Sequence, residues 1–176
     1  MAIYSPAEDS FFLAELLGKI LCKNKNTSYL DMGTGSGILS ETASKFIKKE
    51  NILAVDMDKE SLEFVKKKGF KVLQSNLFSK IPKKRKFDLI SFNAPYLPKE
   101  EGEPEDSQRA TTGGKKGDEI SLKFLKQAKA HLNMDGKILL LVSSLTPLNR
   151  IKKFKPKVVA EKKLFFEKLL ILQFQH

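Results

Sequence analysis

An α/β fold, with a seven-stranded and mostly parallel sheet, is predicted by three features of this 176-residue chain. Apolar runs of strand length alternate with segments of helical periodicity through most of the sequence. A Gly-rich turn, Asp31-Met32-Gly33-Thr34-Gly35-Ser36-Gly37, joins the first strand to a helix. Two further strand-like runs close the chain, as a C-terminal antiparallel hairpin would. Alternation of this kind puts helices on both faces of the sheet.

The elements follow in order. Ser5-Pro6-Ala7-Glu8 reads as a helix start, with Ser5 as cap, Pro6 at the first helical position and Glu8 placed for a capping box. Phe11, Phe12, Leu13, Leu16, Leu17, Ile20 and Leu21 then form an apolar face at helical spacing. The pattern breaks over 24–27. Residues 28–32 form the first strand, 33–37 the turn, and 38–48 a helix. Residues 52–55 form the second strand, which ends at Asp56. A helix over 59–68 buries Leu62 and Val65, and 71–73 is the third strand. Lys83-Lys84-Arg85-Lys86 is a basic turn before the fourth strand, 87–92, which runs into Asn93-Ala94-Pro95-Tyr96. The stretch 98–117 is polar and long for a loop inside a compact domain, the kind that is either functional or disordered. A helix over 119–131, a strand over 137–142 and the closing strands 158–162 and 169–174 complete the chain. No internal repeat interrupts it, and residues 1–176 read as one domain.

Hydrophobic residues make up 41% and charged residues 30%, enough to bury a core and unlike a disordered chain. No apolar run approaches the ~18 residues that cross a bilayer, and the N-terminus lacks the pattern of a signal peptide. The expectation is a soluble, cytoplasmic protein with no membrane partner. One cysteine and two histidines cannot build a structural zinc site, and no metal is expected. Cys22 is expected in the core, as are Phe11, Phe12, Phe165 and Phe166. The net charge of +11 favours an anionic partner such as a nucleic acid. Arg85, Arg109 and Arg150 are the only arginines, however, and lysine attracts polyanions without the bidentate geometry that reads them. A solvated basic surface is the simpler reading.

In an open parallel sheet, ligands sit beyond the carboxyl ends of the strands, where the first strand-to-helix turn lies. Gly33, Gly35 and Gly37 let the backbone turn sharply there. Asp56, at the end of the second strand, can accept hydrogen bonds from ribose hydroxyls. The dinucleotide fingerprint G-x-G-x-x-G would need a glycine at position 38, which is Ile38. No lysine follows as a phosphate-binding loop requires. A carboxylate at Asp31 would repel a pyrophosphate and suit a cationic amino group. Together these point to S-adenosylmethionine.

Asn93-Ala94-Pro95-Tyr96 ends the fourth strand, which neighbours the first in a doubly wound sheet. Asn93 offers a side-chain acceptor, and Ala94, ahead of a proline, is held extended, with a main-chain carbonyl that lacks a helical partner as a second acceptor toward the cleft. Pro95 stiffens the turn and Tyr96 supplies a flat face. Two acceptors side by side match the two hydrogens of an NH2 group, an amide or a base amine, and can aim its nitrogen.

On these residues the chain resembles the HemK-like N5-glutamine methyltransferases, which modify the Gly-Gly-Gln glutamine of class I translation release factors. The resemblance is carried by Tyr4-Ser5-Pro6-Ala7-Glu8-Asp9-Ser10, by Leu30 through Gly37, by Ala54-Val55-Asp56, by Asn76-Leu77-Phe78 and by Asn93-Ala94-Pro95-Tyr96. Gly113-Gly114-Lys115-Lys116-Gly117 looks like the family's Gly-Gly-x-x-Gly loop. The first stretch and the short length are nearest the eukaryotic and archaeal branch.

The resemblance implies a Rossmann-like class I methyltransferase fold. It implies cofactor contacts from Ser10, Asp31, Gly33, Asp56, Asn76 and Leu77, with Thr34, Gly35, Gly37, Met57 and Asn93 beside them. Asn93, Pro95 and Tyr96 would hold the target amide as catalytic residues. A release factor would be the substrate, and a small activator of the Trm112 type a partner. The family usually has Pro where this chain has Ala94, Asp where it has Asn76, and Asp where it has Thr112. Two alternatives stay open: an N-methyltransferase acting on an exocyclic base amine of RNA or DNA, and a catalytically weak S-adenosylmethionine-binding protein.

Overall fold

A computed structural model gives the fold, described for residues 7–98 and 112–175. The helix start at Ser5 and Pro6, most of the polar 98–117 stretch, and His176 fall outside the described residues. The elements are α1 (Glu8–Leu21), β1 (Tyr29–Met32), α2 (Ile38–Ser44), β2 (Ile52–Asp56), α3 (Lys59–Lys67), β3 (Lys71–Gln74), β4 (Phe87–Asn93), α4 (Glu119–Ala128), β5 (Leu132–Ser143), α5 (Leu148–Ile151), β6 (Lys157–Lys163) and β7 (Lys168–Phe174).

The seven strands form one sheet in the order β3-β2-β1-β4-β5-β7-β6. The first five are parallel, and β7 runs antiparallel to both β5 and β6. Order reverses between β1 and β4, so the crevice expected at a switch point opens beyond Met32 and Asn93.

Period-two alternation sends the side chains of each central strand to two cores. Leu30, Met32, Val55, Ile90 and Phe92 face a layer with Phe124 and Leu125 of α4. Tyr29, Ile52, Ala54 and Leu89 face the other layer, with Leu13 and Leu17 of α1 and Val65 of α3. Each of the Leu, Ile, Val, Met and Phe side chains buried this way stabilises the fold by roughly 1.5–3 kcal/mol. The helices have matching faces. In α1, Asp9, Leu13, Leu17 and Leu21 fall on one buried stripe, and Gly18 lets the helix approach Phe46 just after α2. Asp58 caps α3 by accepting from the Ser61 N–H at 2.7 Å.

Several expectations need correction. The helix after the Gly-rich turn stops at Ser44, not 48. Ser44 Oγ donates to the Glu41 carbonyl, and the chain then turns so that Ile47 enters the core. The helix over 119–131 ends at Ala128 and tightens into a 3-10 turn over Lys129–His131. Strand β5 begins five residues early, at Leu132, because Leu132 pairs with Phe87 and Asn133 donates to Asp88 at 2.6 Å. The short α5 was not anticipated. Cys22 is exposed just past α1, not in the core. Phe11 is 57% exposed, and Phe165 and Phe166, at the β6–β7 turn, are 94% and 88% exposed. A side chain in a two-strand turn has no layer above it to enter. Among the described residues, no helix is long and apolar enough to cross a membrane.

Candidate active site

Strand register brings the expected residues to one edge. Asp31 pairs with Ala54 of β2 and Ser91 of β4. Asp56 and Asn93 lie two residues beyond those partners, so all three side chains leave the same face of the sheet. The Gly-rich turn starts where β1 ends, Asn76 and Leu77 follow β3, and Ser10 lies in the first turn of α1.

The turn is held by the residue that precedes it. Asp31 is fully buried. Its Oδ2 accepts from Thr34 Oγ1 at 2.8 Å, from Ser40 Oγ at 2.7 Å and from Ser40 N at 3.1 Å. Both ends of the turn are thereby tied to one oxygen. The other oxygen, Oδ1, is buried without a hydrogen-bond partner. Burial pushes the carboxyl pKa up to about 6, against the lowering effect of the Ser40 and Thr34 bonds and with a further rise from Asp56. Gly37 has φ +80°, and a Cβ there would lie 2.8 Å from Val65. Gly35, at φ +49°, has nothing within 4 Å of where its Cβ would be, so this part of the turn faces open space.

Asp56 meets the same turn from β2. Its Oδ2 accepts from Gly35 N at 2.9 Å, and Oδ1 accepts from Asp58 N at 3.0 Å. Each oxygen keeps a lone pair for a further donor. Met57 is 62% exposed beside it. Asn76 is exposed, whereas Leu77 is buried and adopts φ +51°, a left-handed conformation rare for leucine. Strain of this kind concentrates at functional sites.

Asn93 is set against α1, not free in the crevice. Its Nδ2 donates to Asp9 Oδ2 at 3.2 Å and to Ser10 Oγ at 3.1 Å. Its Oδ1 is buried and has no hydrogen-bond partner. Ser10, 4% exposed, is thus committed to Asn93 and to Asp9, whose Oδ1 accepts from the Ser10 hydroxyl. Ala94 is buried in the α4-side layer. Pro95 and Tyr96 are half-buried, and Tyr96 packs against the α1-side layer.

The loop that follows is clamped from outside. Gly113 N donates to the Leu97 carbonyl at 2.9 Å, and Leu97 bridges to Thr112. A Cβ on Gly113 would lie 2.2 Å from the Gly117 carbonyl oxygen and 2.5 Å from that of Pro95. On Gly117 it would lie 2.6 Å from the Tyr96 carbonyl oxygen. The 113–117 loop therefore lies backbone against backbone on 95–97. The Tyr96 carbonyl also accepts from Thr146 Oγ1 at 3.3 Å.

Sequence reasoning missed Asp9 and Thr146. Asp9 stood in the stretch that carries the resemblance without a role assigned to it, and left a further signal as an acidic side chain in line with Leu13 and Leu17 on the apolar stripe of a helix. Thr146 left none. The donor and acceptor set fits S-adenosylmethionine. The unpaired Asp31 Oδ1 suits an amino group, the free lone pairs of Asp56 suit ribose hydroxyls, and Gly35 leaves room.

Residues 10–167 match the family model of the methyltransferase small domain. A provisionally named protein N5-glutamine methyltransferase of Methanocaldococcus jannaschii is 35% identical over 97% of this chain and 90% of its own length. A release factor glutamine methyltransferase of Borreliella burgdorferi is 34% identical over 77% of this chain, which spans 51% of that protein. Among solved structures, a ribosomal protein L11 methylase from Lactobacillus delbrueckii superposes with TM-score 0.69 over 98% of this chain and 81% of its own. At 23% identity, that likeness is one of fold. By motif, fold and kinship, the chain belongs to the methyltransferase small domain family, among the HemK-like N5-glutamine methyltransferases.

Proposed function

We propose that this chain methylates the side-chain amide nitrogen of the glutamine in the Gly-Gly-Gln motif of a translation release factor, using S-adenosylmethionine. The observation that carries the reading is the Asn93 amide: both its hydrogens are engaged by Asp9 and Ser10, and its buried Oδ1, at the end of β4, is left without a donor.

An amide nitrogen is a poor nucleophile because its lone pair is delocalised, so orientation matters more than base strength. Asn93 Oδ1 accepts one hydrogen of the target NH2 and turns its nitrogen toward the cofactor side of the crevice. Pro95 fixes the chain after Asn93, and Tyr96 offers a face to the flat amide. When bound, S-adenosylmethionine supplies a methyl group already activated on its sulfonium. Asp31 would receive its amino group, Asp56 its ribose, and Asn76 with Leu77 its base. Asn76 can accept through its oxygen where the family's usual Asp does so with charge.

The names of the M. jannaschii and B. burgdorferi relatives support glutamine as the target. A release-factor substrate would place the work in the cytoplasm. On this reading the 176 residues act as one catalytic domain. A small Trm112-type activator, implied by the resemblance, is proposed as a partner, to be sought by co-purification. The charge of +11 favours a second reading, transfer to a base amine of RNA or DNA.

The test is labelled methyl transfer to purified release factor beside bulk RNA, with mass spectrometry of the Gly-Gly-Gln glutamine. Label on that glutamine supports the proposal. Label on RNA alone supports the second reading. Cofactor binding without transfer to either would leave a catalytically weak binding protein, with Ala94 and Asn76 as the first residues to revert.

A further inference from the structure

We infer that Asp9 is a positioning residue that fixes which way round the Asn93 amide sits. The inference rests on Asn93 acting on the acceptor NH2, as proposed above.

The two ends of an asparagine amide are nearly equal in shape and opposite in hydrogen bonding. Turned by half a rotation, Asn93 would present its NH2 to the crevice, where an acceptor is needed. Shape alone does not choose between the two orientations; the neighbours do. Asp9 and Ser10 are 8% and 4% exposed, so water does not supply the missing partners. A carboxylate accepts and never donates. Asp9 Oδ2 stands 3.2 Å from the amide, so only the nitrogen end is tolerated there. The Ser10 hydroxyl, 3.1 Å away, is ambiguous on its own because a hydroxyl both donates and accepts. Asp9 settles that ambiguity too. Its Oδ1 accepts from the Ser10 hydroxyl at 3.2 Å, which leaves Ser10 Oγ as an acceptor toward Asn93. The carboxylate is itself pinned by the Ser10 backbone N–H at 2.6 Å.

Every proton in this three-residue network therefore runs toward Asp9. Both Asn93 hydrogens are consumed, and the one polar atom left over is Oδ1, buried and unpaired. The network also joins α1 to the end of β4. Leu13 and Leu17, on the same stripe as Asp9, are fully buried, so the helix is held in place. The cap residue Ala7 offers no side-chain bond to the start of α1, whose first turn is tied down by long-range contacts instead: Glu8 pairs with Lys162 at 3.5 Å on the exposed side, and Asp9 reaches Asn93 on the buried side.

The experiment uses the full chain labelled with 15N-asparagine. The side-chain NH2 resonances of Asn93 are assigned by their disappearance in Asn93→Ala. In the wild type the two proton resonances should be well separated, because each hydrogen has a different fixed acceptor. In Asp9→Ala they should move toward the position of a free amide, while calorimetric affinity for S-adenosylmethionine changes by less than about threefold. Asp9→Asn has the same shape and can keep the Ser10 N–H bond. It should hold the thermal midpoint and still shift the Asn93 resonances, which separates positioning from folding. In methyl transfer, Asp9→Ala should lower kcat by up to about 100-fold with a smaller change in KM. Added to Asn93→Ala, it should cost less than about twofold more.

Undisturbed Asn93 resonances in Asp9→Ala would overturn the inference, as would an equal loss of kcat in the Asn93→Ala background. The resonances need no acceptor substrate. A wrong choice of substrate would appear as absent transfer by the wild type, with the amide shifts still present.

Discussion

The two halves of the crevice are held together in opposite ways. On the cofactor side the bonds are mostly local, Asp31 to Thr34 and Ser40, Asp56 to Asp58 and Asp58 to Ser61, and the longest of those described, Gly35 to Asp56, spans 21 residues. On the acceptor side they are remote. Asn93 reaches Asp9 across 84 residues, Tyr96 reaches Thr146 across 50, and the 95–97 loop rests on 113–117. The cofactor half is therefore defined by β1, β2 and β3, consecutive in the sequence and adjacent in the sheet, with the turns that follow them. The acceptor half exists only once α1, β4, the 113–117 loop and the turn after β5 have come together. A methyltransferase built this way can lose its acceptor geometry and still bind cofactor.

The largest separation should come from Gly113→Ala. The added Cβ would meet two backbone carbonyls, neither of which can swing aside. Transfer should fall by about 100-fold or more, with cofactor affinity within about threefold of wild type. Gly37→Ala should do the reverse. Strain at φ +80° and overlap with Val65 should cost about 1–3 kcal/mol, visible in thermal unfolding, and cofactor titration should weaken with it. Equal loss of cofactor binding in both variants would erase the distinction between the halves.

Asp31→Asn sharpens the cofactor side alone. Its amide oxygen can still accept from Ser40, so the turn should stay, while the charge proposed to face the cofactor's amino group is gone. Cofactor affinity should drop by about 1.5–3 kcal/mol in calorimetry, the range for a hydrogen bond to a charged group.

The pH dependence has two opposite signs. The buried Asp31 carboxyl has its pKa raised to about 6. In the unliganded protein, its share of stability is present in full below its ordinary value of 3.8 and is lost as pH rises through about 6. Cofactor affinity should run the other way and tighten through the same range, as the carboxyl becomes the anion that holds the amino group. Titrations across that window check both, and Asp31→Asn should flatten them. The smallest effect is expected from Thr146→Val, which removes one bond to the Tyr96 carbonyl. It should cost about 0.5–1.5 kcal/mol in acceptor binding and leave the cofactor side untouched.

The same contrast decides what could be read from the sequence. Strand-helix alternation and the Gly-rich turn are local patterns, and they predicted seven strands, their order around β1 and the place of Asp31 and Asp56 beside the turn; Ser10, Asn76 and Leu77 entered only through the resemblance. Asn93 was legible for the same reason, because it ends a strand that neighbours β1. Its partner was not. Nothing near Asp9 announces a residue 84 positions away; its place among buried leucines and in the family-like stretch marked the residue but not its partner. The early start of β5 rests on pairing between Leu132 and Phe87, which no periodicity displays. Phe165 and Phe166 misled because their apolar character says nothing of the turn that carries them outward.

The central claim is that the unpaired Asn93 oxygen holds the target amide. Asn93→Ala tests it most directly, by mass spectrometry of the release-factor Gly-Gly-Gln glutamine after incubation with S-adenosylmethionine, beside calorimetry of the same sample. The expected result is transfer reduced by about 100- to 1,000-fold, with cofactor affinity within about tenfold of wild type. Transfer at the wild-type rate would contradict it.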